Sequence, residues 1–381
     1  MENSSFPSNA TSGQFVLPFT ESDVIITSVF LVTFMVFGIF MNSVTLVVIM
    51  TSRTLLKCIF NYFILSLCVS DTISAAVSWI NLYRRTWGFE YFYLSEFVCE
   101  FYWGVDIWTS YVTSLHILSF AVLRLIAITR PNTMKRIKPR VVKVWIILMW
   151  IIGFTCGALP MGMFSGVERK DRTSSAPENK WPSCAQEKKW LDAYHVYTII
   201  VYSIFFYIPL VSTLSVSIVI GCAIIKQRRT IKVHLSSISA GNRRSKEKHA
   251  MLQLSLIITS FLVGYVPFTA FEFYSYGHYN HGPVAIRSDW QFGTAQYICL
   301  RFSECLNPIF YNLGSAKMRE ATKSFCFRIM NIRHKKTREV LTGSVTGSVI
   351  SVPGSRRSFC TTTRMTHRSD EVKTFDEKTI S

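Results

Sequence analysis

Nearly unbroken apolar stretches punctuate the chain at about residues 24–50, 60–83, 98–128, 142–164, 194–225, 250–275 and 290–313. Each is long enough to cross about 30 Å of hydrocarbon as a helix of roughly 20 residues. Outer-membrane strands would need only about ten residues with strict alternation, a pattern that Val24 to Met50 does not show. The pattern predicts an all-α fold, a seven-transmembrane helix bundle over 24–313. Past Gly314 the apolar runs stop. Residues 315–330 read as a short amphipathic basic helix lying on the membrane surface after the seventh span. Residues 331–381 are rich in hydroxyls and arginines and too polar to bury a core, so they read as a disordered cytoplasmic tail.

Composition supports the membrane reading. Of 381 residues, 49% are hydrophobic and 17% charged, against roughly 25% charged in a soluble domain. The net charge of +18 must therefore be segregated from the apolar runs. Ten cysteines with no C-x-x-C pair exclude a disulfide scaffold and a short metal-ligand motif. Lysine and arginine are retained on the cytoplasmic side. They crowd the first-to-second, third-to-fourth and fifth-to-sixth connections, while the opposite loops balance Arg84 and Arg85 with Glu90 and Glu96 and mix Glu168, Lys170, Asp171 and Glu187. The N-terminus is then outside. Residues 1–23 form an extracellular segment with glycosylation sequons at Asn3 and Asn9. No basic n-region or cleavage site precedes Val24, so the first run is expected to act as the insertion signal as well.

One marker residue stands in each span: Asn42, Asp71, Arg124, Trp150, Pro209, Pro267 and the run Asn307-Pro308-Ile309-Phe310-Tyr311. In this order the set resembles the rhodopsin-like (class A) G-protein-coupled receptors, over about residues 24–330. The resemblance implies a receptor that activates a heterotrimeric G protein, and a switch made of Arg124, Glu247, Phe261, Tyr265, Pro209, Asn307, Pro308 and Tyr311. Glu247 is where the family places an acid to pair with Arg124. Leu123 replaces the acid usual before that arginine, Leu125 the tyrosine usual after it, and Tyr265 the usual tryptophan. Ser114 stands where a larger aliphatic is common. Loss of one restraining carboxylate raises the expectation of basal activity. Asp71, Asn42, Ser303 and Asn307 resemble a sodium site, since a hard cation takes oxygen ligands. Glu304 adds a second carboxylate, which either strengthens cation binding or is protonated. Cys99 lies 25 residues before Arg124, about 37 Å along a helix, which puts Cys99 at the outer mouth. Cys184 is the other cysteine placed in an outer loop. The oxidising compartment and the resemblance together imply a Cys99–Cys184 disulfide.

Ionisable residues inside spans are costly unless paired or wet and mark function. Asp106 stands where amine receptors bind an ammonium. Arg301, however, lies six residues before Asn307, about 9 Å outward, where the resemblance makes the two face each other. A paired Asp106 is less available to an amine. The expected ligand pocket is Asp106, Arg301, Phe268, Tyr202 and Tyr297, beneath a vestibule containing Trp87, Tyr274, Tyr276, Tyr279 and Trp290. Mixed charge and aromatic rings favour a peptide ligand, with a biogenic-amine receptor, a non-signalling or constitutively active receptor and a transporter as the other readings. Internal repeats and prolines paired between two halves are lacking, which weighs against a transporter. Nothing resembles a catalytic constellation, so the chain reads as a non-enzyme, without nucleic-acid partners and without cofactors beyond possible Na+. Cys326 is a palmitoylation candidate that would add a lipid contact. Phosphorylation of the tail by receptor kinases would recruit arrestin.

Overall fold

A computed structural model describes residues 17–168, 181–234, 238–277 and 283–342. The first three spans are α1 (Glu21–Thr51), α2 (Ile59–Arg85) and α3 (Glu96–Thr129). A short cytoplasmic helix, α4 (Pro131–Arg136), leads into the fourth span. That span is α5 (Pro139–Gly153), a π-helical turn over Phe154–Ala158, and α6 (Leu159–Phe164). The fifth runs through α7 (Leu191–Tyr197), a π-helical stretch Thr198–Tyr207 and α8 (Ile208–His234). The sixth is α9 (Ile238–Gly277), the seventh α10 (Pro283–Gly314), and α11 (Ala316–Thr342) follows.

Local chemistry explains several boundaries. Thr20 and Asp23 cap α1 reciprocally: Thr20 N–H donates to Asp23 Oδ2 at 2.9 Å, and Asp23 N–H donates to Thr20 Oγ1 at 3.3 Å. The two π-helical turns end just before Pro160 and Pro209, which cannot donate the next backbone bond. Widened turns carry the helices past them: Leu159 N–H reaches Phe154 O and Ile208 N–H reaches Ser203 O, each five residues back.

Among the described residues, six helices are long and apolar enough to cross a membrane. The seventh span, α10, falls outside that description because Arg287, Asp289, Arg301 and Glu304 interrupt it. It packs between α9 and α1; Arg301 and Glu304 are buried in protein, and Arg287 is exposed at its outer end. α3 is central, against α2, the fourth span and α8. The outward faces of α1, α5 and the fifth span leave Ile25, Val36, Phe40, Ile147 and Ile199 more than half exposed. A continuous apolar surface of that kind suits lipid. On the outer side, strands β1 (Ser165–Val167) and β2 (Cys184–Gln186) pair antiparallel, with Val167 opposite Cys184. The Cys99–Cys184 disulfide ties this hairpin to the start of α3.

The helix expected over 315–330 continues to Thr342. Lys and Arg on good helix formers extend it where the sequence reading began a disordered tail. Arg319 anchors its start, donating to Leu313 O at 2.6 Å, and Thr322 Oγ1 donates to Asn312 Oδ1 at 2.7 Å. Cys326 is exposed on this helix. Asn3, Asn9 and residues 343–381 lie outside the described residues.

Candidate functional site

Tyr297, Arg301, Glu304 and Asn307 recur every three or four residues, so they share one face of α10. That face builds a ladder of polar contacts across the bundle. At the inner rung, Asn307 Nδ2 donates to Asp71 Oδ2 of α2 at 3.0 Å. One turn outward, Ser74 Oγ donates to Glu304 at 3.0 and 3.2 Å. Arg301 then spans two carboxylates: Nη1 donates to Glu304 Oε2 at 2.6 Å and Nη2 to Asp106 Oδ1 of α3 at 2.5 Å. Tyr297 Oη donates to the same Asp106 oxygen at 3.4 Å, and the Arg301 guanidinium lies 4.5 Å over its ring. Arg301 is 2% exposed, Glu304 3% and Asp106 6%. A guanidinium with five N–H donors can serve two acids at once, which an ammonium could not do with the same planar geometry.

The expected Asp106–Arg301 pair is thus present, but it is one arm of a triad. Glu304, expected close to Asp71 as a carboxylate that either strengthens cation binding or is protonated, is bound to Arg301 and Ser74. Ser303 faces the sixth span, where its Oγ lies 3.1 Å from Ser260 Oγ and its carbonyl accepts from that hydroxyl at 2.9 Å. Two buried oxygens, Asp71 Oδ1 and Asn42 Oδ1, keep no hydrogen-bond partner among the described residues. They suit a hard cation; Ser303 and Glu304 do not add to that set.

Above the triad lies a cavity of about 510 Å³. Its lining includes Arg84, Arg85, Trp103, Gln186, Tyr194, Tyr202, Glu272, Asp289 and Trp290. Of the expected pocket, Tyr202 lines this cavity and Asp106, Arg301, Phe268 and Tyr297 do not. The acid and arginine satisfy each other below it, Tyr297 seals them, and Phe268 packs edge-on against Phe206 at 5.0 Å. Of the vestibule aromatics, Trp290 is buried and donates from Nε1 to Arg85 O at 2.8 Å, Tyr274 packs on Phe292 at 5.4 Å, and Trp87 is 63% exposed. The side chains of Tyr276 and Tyr279 lie outside the described residues.

The charge pattern assigns Arg84 and Arg85 to an outer loop; in the structure they are in the last turn of α2 and line the cavity. Arg84 is 3% exposed, donates from Nε to Cys184 O at 3.2 Å and from Nη1 to Asn81 Oδ1 at 3.2 Å, and sits 4.5 Å over the Trp103 ring. Gly293 gives Arg85 its room: a Cβ there would stand 2.6 Å from both terminal nitrogens of that guanidinium.

Beneath the cavity an aromatic column descends the sixth span. Tyr265 Oη donates to Ser110 O at 3.2 Å, and its ring lies 4.5 Å from Phe261 and 5.5 Å from Phe206. The smaller tyrosine, with its hydroxyl, is therefore held by α3. Ser114 and Tyr311 are fully buried. At the inner end the Arg124 guanidinium lies 4.0 Å over Phe60 and 5.1 Å from the Phe120 ring. Glu247 falls in α9, but its side chain lies outside the described residues.

Residues 41–311 match the profile of the 7 transmembrane receptor (rhodopsin family). The growth hormone secretagogue receptor type 1 of Homo sapiens is 25% identical over 316 residues, covering 82% of each chain. The neuromedin U receptor homolog nmur-2 of Caenorhabditis elegans is 26% identical over 337 residues, covering 81% of this chain and 80% of its own. A 5-hydroxytryptamine receptor of Lymnaea stagnalis is 26% identical over 147 residues, covering 38% of this chain and 28% of its own. The helical bundle, its outer disulfide and the match across more than half of its length agree: the chain belongs to the rhodopsin family of seven-transmembrane, G-protein-coupled receptors, which are receptors rather than enzymes, and is a multi-pass protein of the plasma membrane.

Proposed function

We propose that this receptor is activated by an extracellular peptide and passes the signal to a heterotrimeric G protein. The observation that carries the ligand class is the separation of two layers. The cavity holds both charge signs among large aromatic rings, and the acid that would bind an amine is bound below it by Arg301. An amine would have to break a buried ion pair to reach Asp106, at a cost of about 3–5 kcal/mol. The relatives that span four-fifths of the chain are named for a growth hormone secretagogue and for neuromedin U, and the one named for 5-hydroxytryptamine matches little more than a third of it.

In this reading, Phe261, Tyr265, Pro209, Asn307, Pro308 and Tyr311 relay the change inward, and Arg124 with Glu247 gates the inner face. A sodium ion would find oxygen donors at Asp71 and Asn42, with Asn307 holding the Asp71 carboxylate. The tail hydroxyls would serve receptor kinases and arrestin, Asn3 and Asn9 would carry glycans, and palmitate on Cys326 would add a contact with membrane lipids. Cells expressing the chain, read for cAMP, calcium and phosphoinositide against a peptide library and a set of biogenic amines, test the ligand class. A peptide response with amines silent is expected. An amine response lost in Asp106→Asn would overturn the reading.

A further inference from the structure

Two guanidinium groups line the cavity, that of Arg84 buried and that of Arg85 partly buried, and neither makes an ion pair among the described residues. Arg84 spends one N–H on Cys184 O and one on Asn81, which fixes its plane, and its Nη2 makes no hydrogen bond among the described residues. Arg85 keeps an Nε buried without a hydrogen-bond partner and meets the Phe271 ring 6.0 Å away. Two further cavity residues carry unpartnered buried donors, Trp103 at Nε1 and Gln186 at Nε2. Both adjoin Arg84: its guanidinium stacks on Trp103, and its Cys184 partner stands two residues before Gln186 in β2. Buried charges and donors in a native protein are ordinarily matched. This group offers two positive charges and several N–H donors, against one side-chain acceptor, the Gln186 amide oxygen. The group it lacks is an anion with planar, paired oxygens, the shape that an arginine fork fits best.

We infer that Arg84 and Arg85, with the Trp103 and Gln186 N–H groups, form a carboxylate-binding subsite. The peptide reading above supplies only the kind of molecule that brings the carboxylate, a free C-terminus or an acidic side chain. Glu272 and Asp289, on the α9 and α10 side of the same cavity, act on Arg85 through space without forming an ion pair with it, and give the remainder of the ligand a region of opposite sign. A neutral C-terminal amide, with one oxygen and an NH2 that adds donors to donors, fits this subsite poorly.

The test needs no natural ligand. Full-length receptor purified in detergent is heated with N-acetyl-tryptophan or with N-acetyl-tryptophanamide, two aromatic probes that differ in the carboxylate alone. The acid should raise the melting temperature saturably, on the order of 2–4 °C at tenfold excess over half-saturation, and the amide should not. Arg84→Gln tests the more deeply buried arginine; because it also removes the Cys184 contact and could fail to fold, Arg85→Gln is the deciding variant. It should abolish the acid's shift, and Arg85→Lys should retain part of it. Equal shifts from acid and amide, no shift from the acid, or an undiminished shift in Arg85→Gln would each overturn the subsite. The peptide reading stands or falls separately, in the signalling panel.

Discussion

Arg301 decides what Asp106 can do. With a single partner, the two charges could be exchanged between α3 and α10 and the pair restored. With Glu304 one turn away on Arg301's own helix, Arg301→Asp would set two carboxylates side by side, and like charges at this spacing repel. Asp106→Arg combined with Arg301→Asp should therefore recover little of the surface expression lost in either single variant, and adding Glu304→Gln should restore a substantial part. Flow cytometry of the tagged receptor reads this directly. Full recovery without the third change would mean that Glu304 takes no part. The 106–301 arm was legible from the family register alone. The Glu304 arm had its own signal, the three-residue spacing from Arg301 on one helical face, but the nearness of Asp71 in the same register pointed the other way. Ser74, one turn outward from Asp71, accounts for the difference, since it gives Glu304 a donor away from the sodium position.

At the scale of elements, the fourth span lies close against α3 because glycines stand at two of its contacts. A Cβ on Gly157 would fall 2.9 Å from the Tyr111 ring, and one on Gly153 would fall 3.0 Å from Val112. Tyr111 cannot easily give way, being stacked at 4.4 Å on Phe205 and hydrogen-bonded at 2.8 Å to Tyr197. Gly157→Ala should destabilise the receptor by about 1–3 kcal/mol, the usual effect of overpacking. Gly162→Ala, where the nearest atom is 3.9 Å away, should be neutral or slightly stabilising. Thermal unfolding of the two purified variants checks the contrast; equal melting temperatures would contradict the close approach. The apolar runs marked all seven spans and their order, because lipid demands long apolar runs whatever the packing, though the seventh is interrupted by Arg301 and Glu304. Hydropathy could not place Arg84 and Arg85, since two adjacent arginines after an apolar run read as a loop. Contacts with Trp103 and the β2 carbonyl, distant in sequence, turn Arg84 into the bundle, and Gly293 leaves Arg85 its room. The π-helical turns left no trace in hydropathy either, though Pro160 and Pro209 mark where they are needed.

Across the whole molecule, the proposed function assigns recognition to the outer layer and signalling to the inner end, with the polar ladder running between them to Asn307 and Pro308 of α10. The disulfide belongs to the outer layer: by holding β2 to α3 it also holds the carbonyl that fixes Arg84. Cys99→Ser and Cys184→Ser should each cost surface expression or ligand response to the same degree, and the double variant should be no worse than either. Additive losses would separate the two cysteines. The central claim is that Asp106 serves the bundle through Arg301 rather than the ligand. Surface level and ligand-evoked second-messenger response of Arg301→Ala test it most directly. This account predicts that both collapse, because two buried carboxylates lose their shared cation; a well-expressed and fully responsive Arg301→Ala receptor would contradict it and return Asp106 to the ligand.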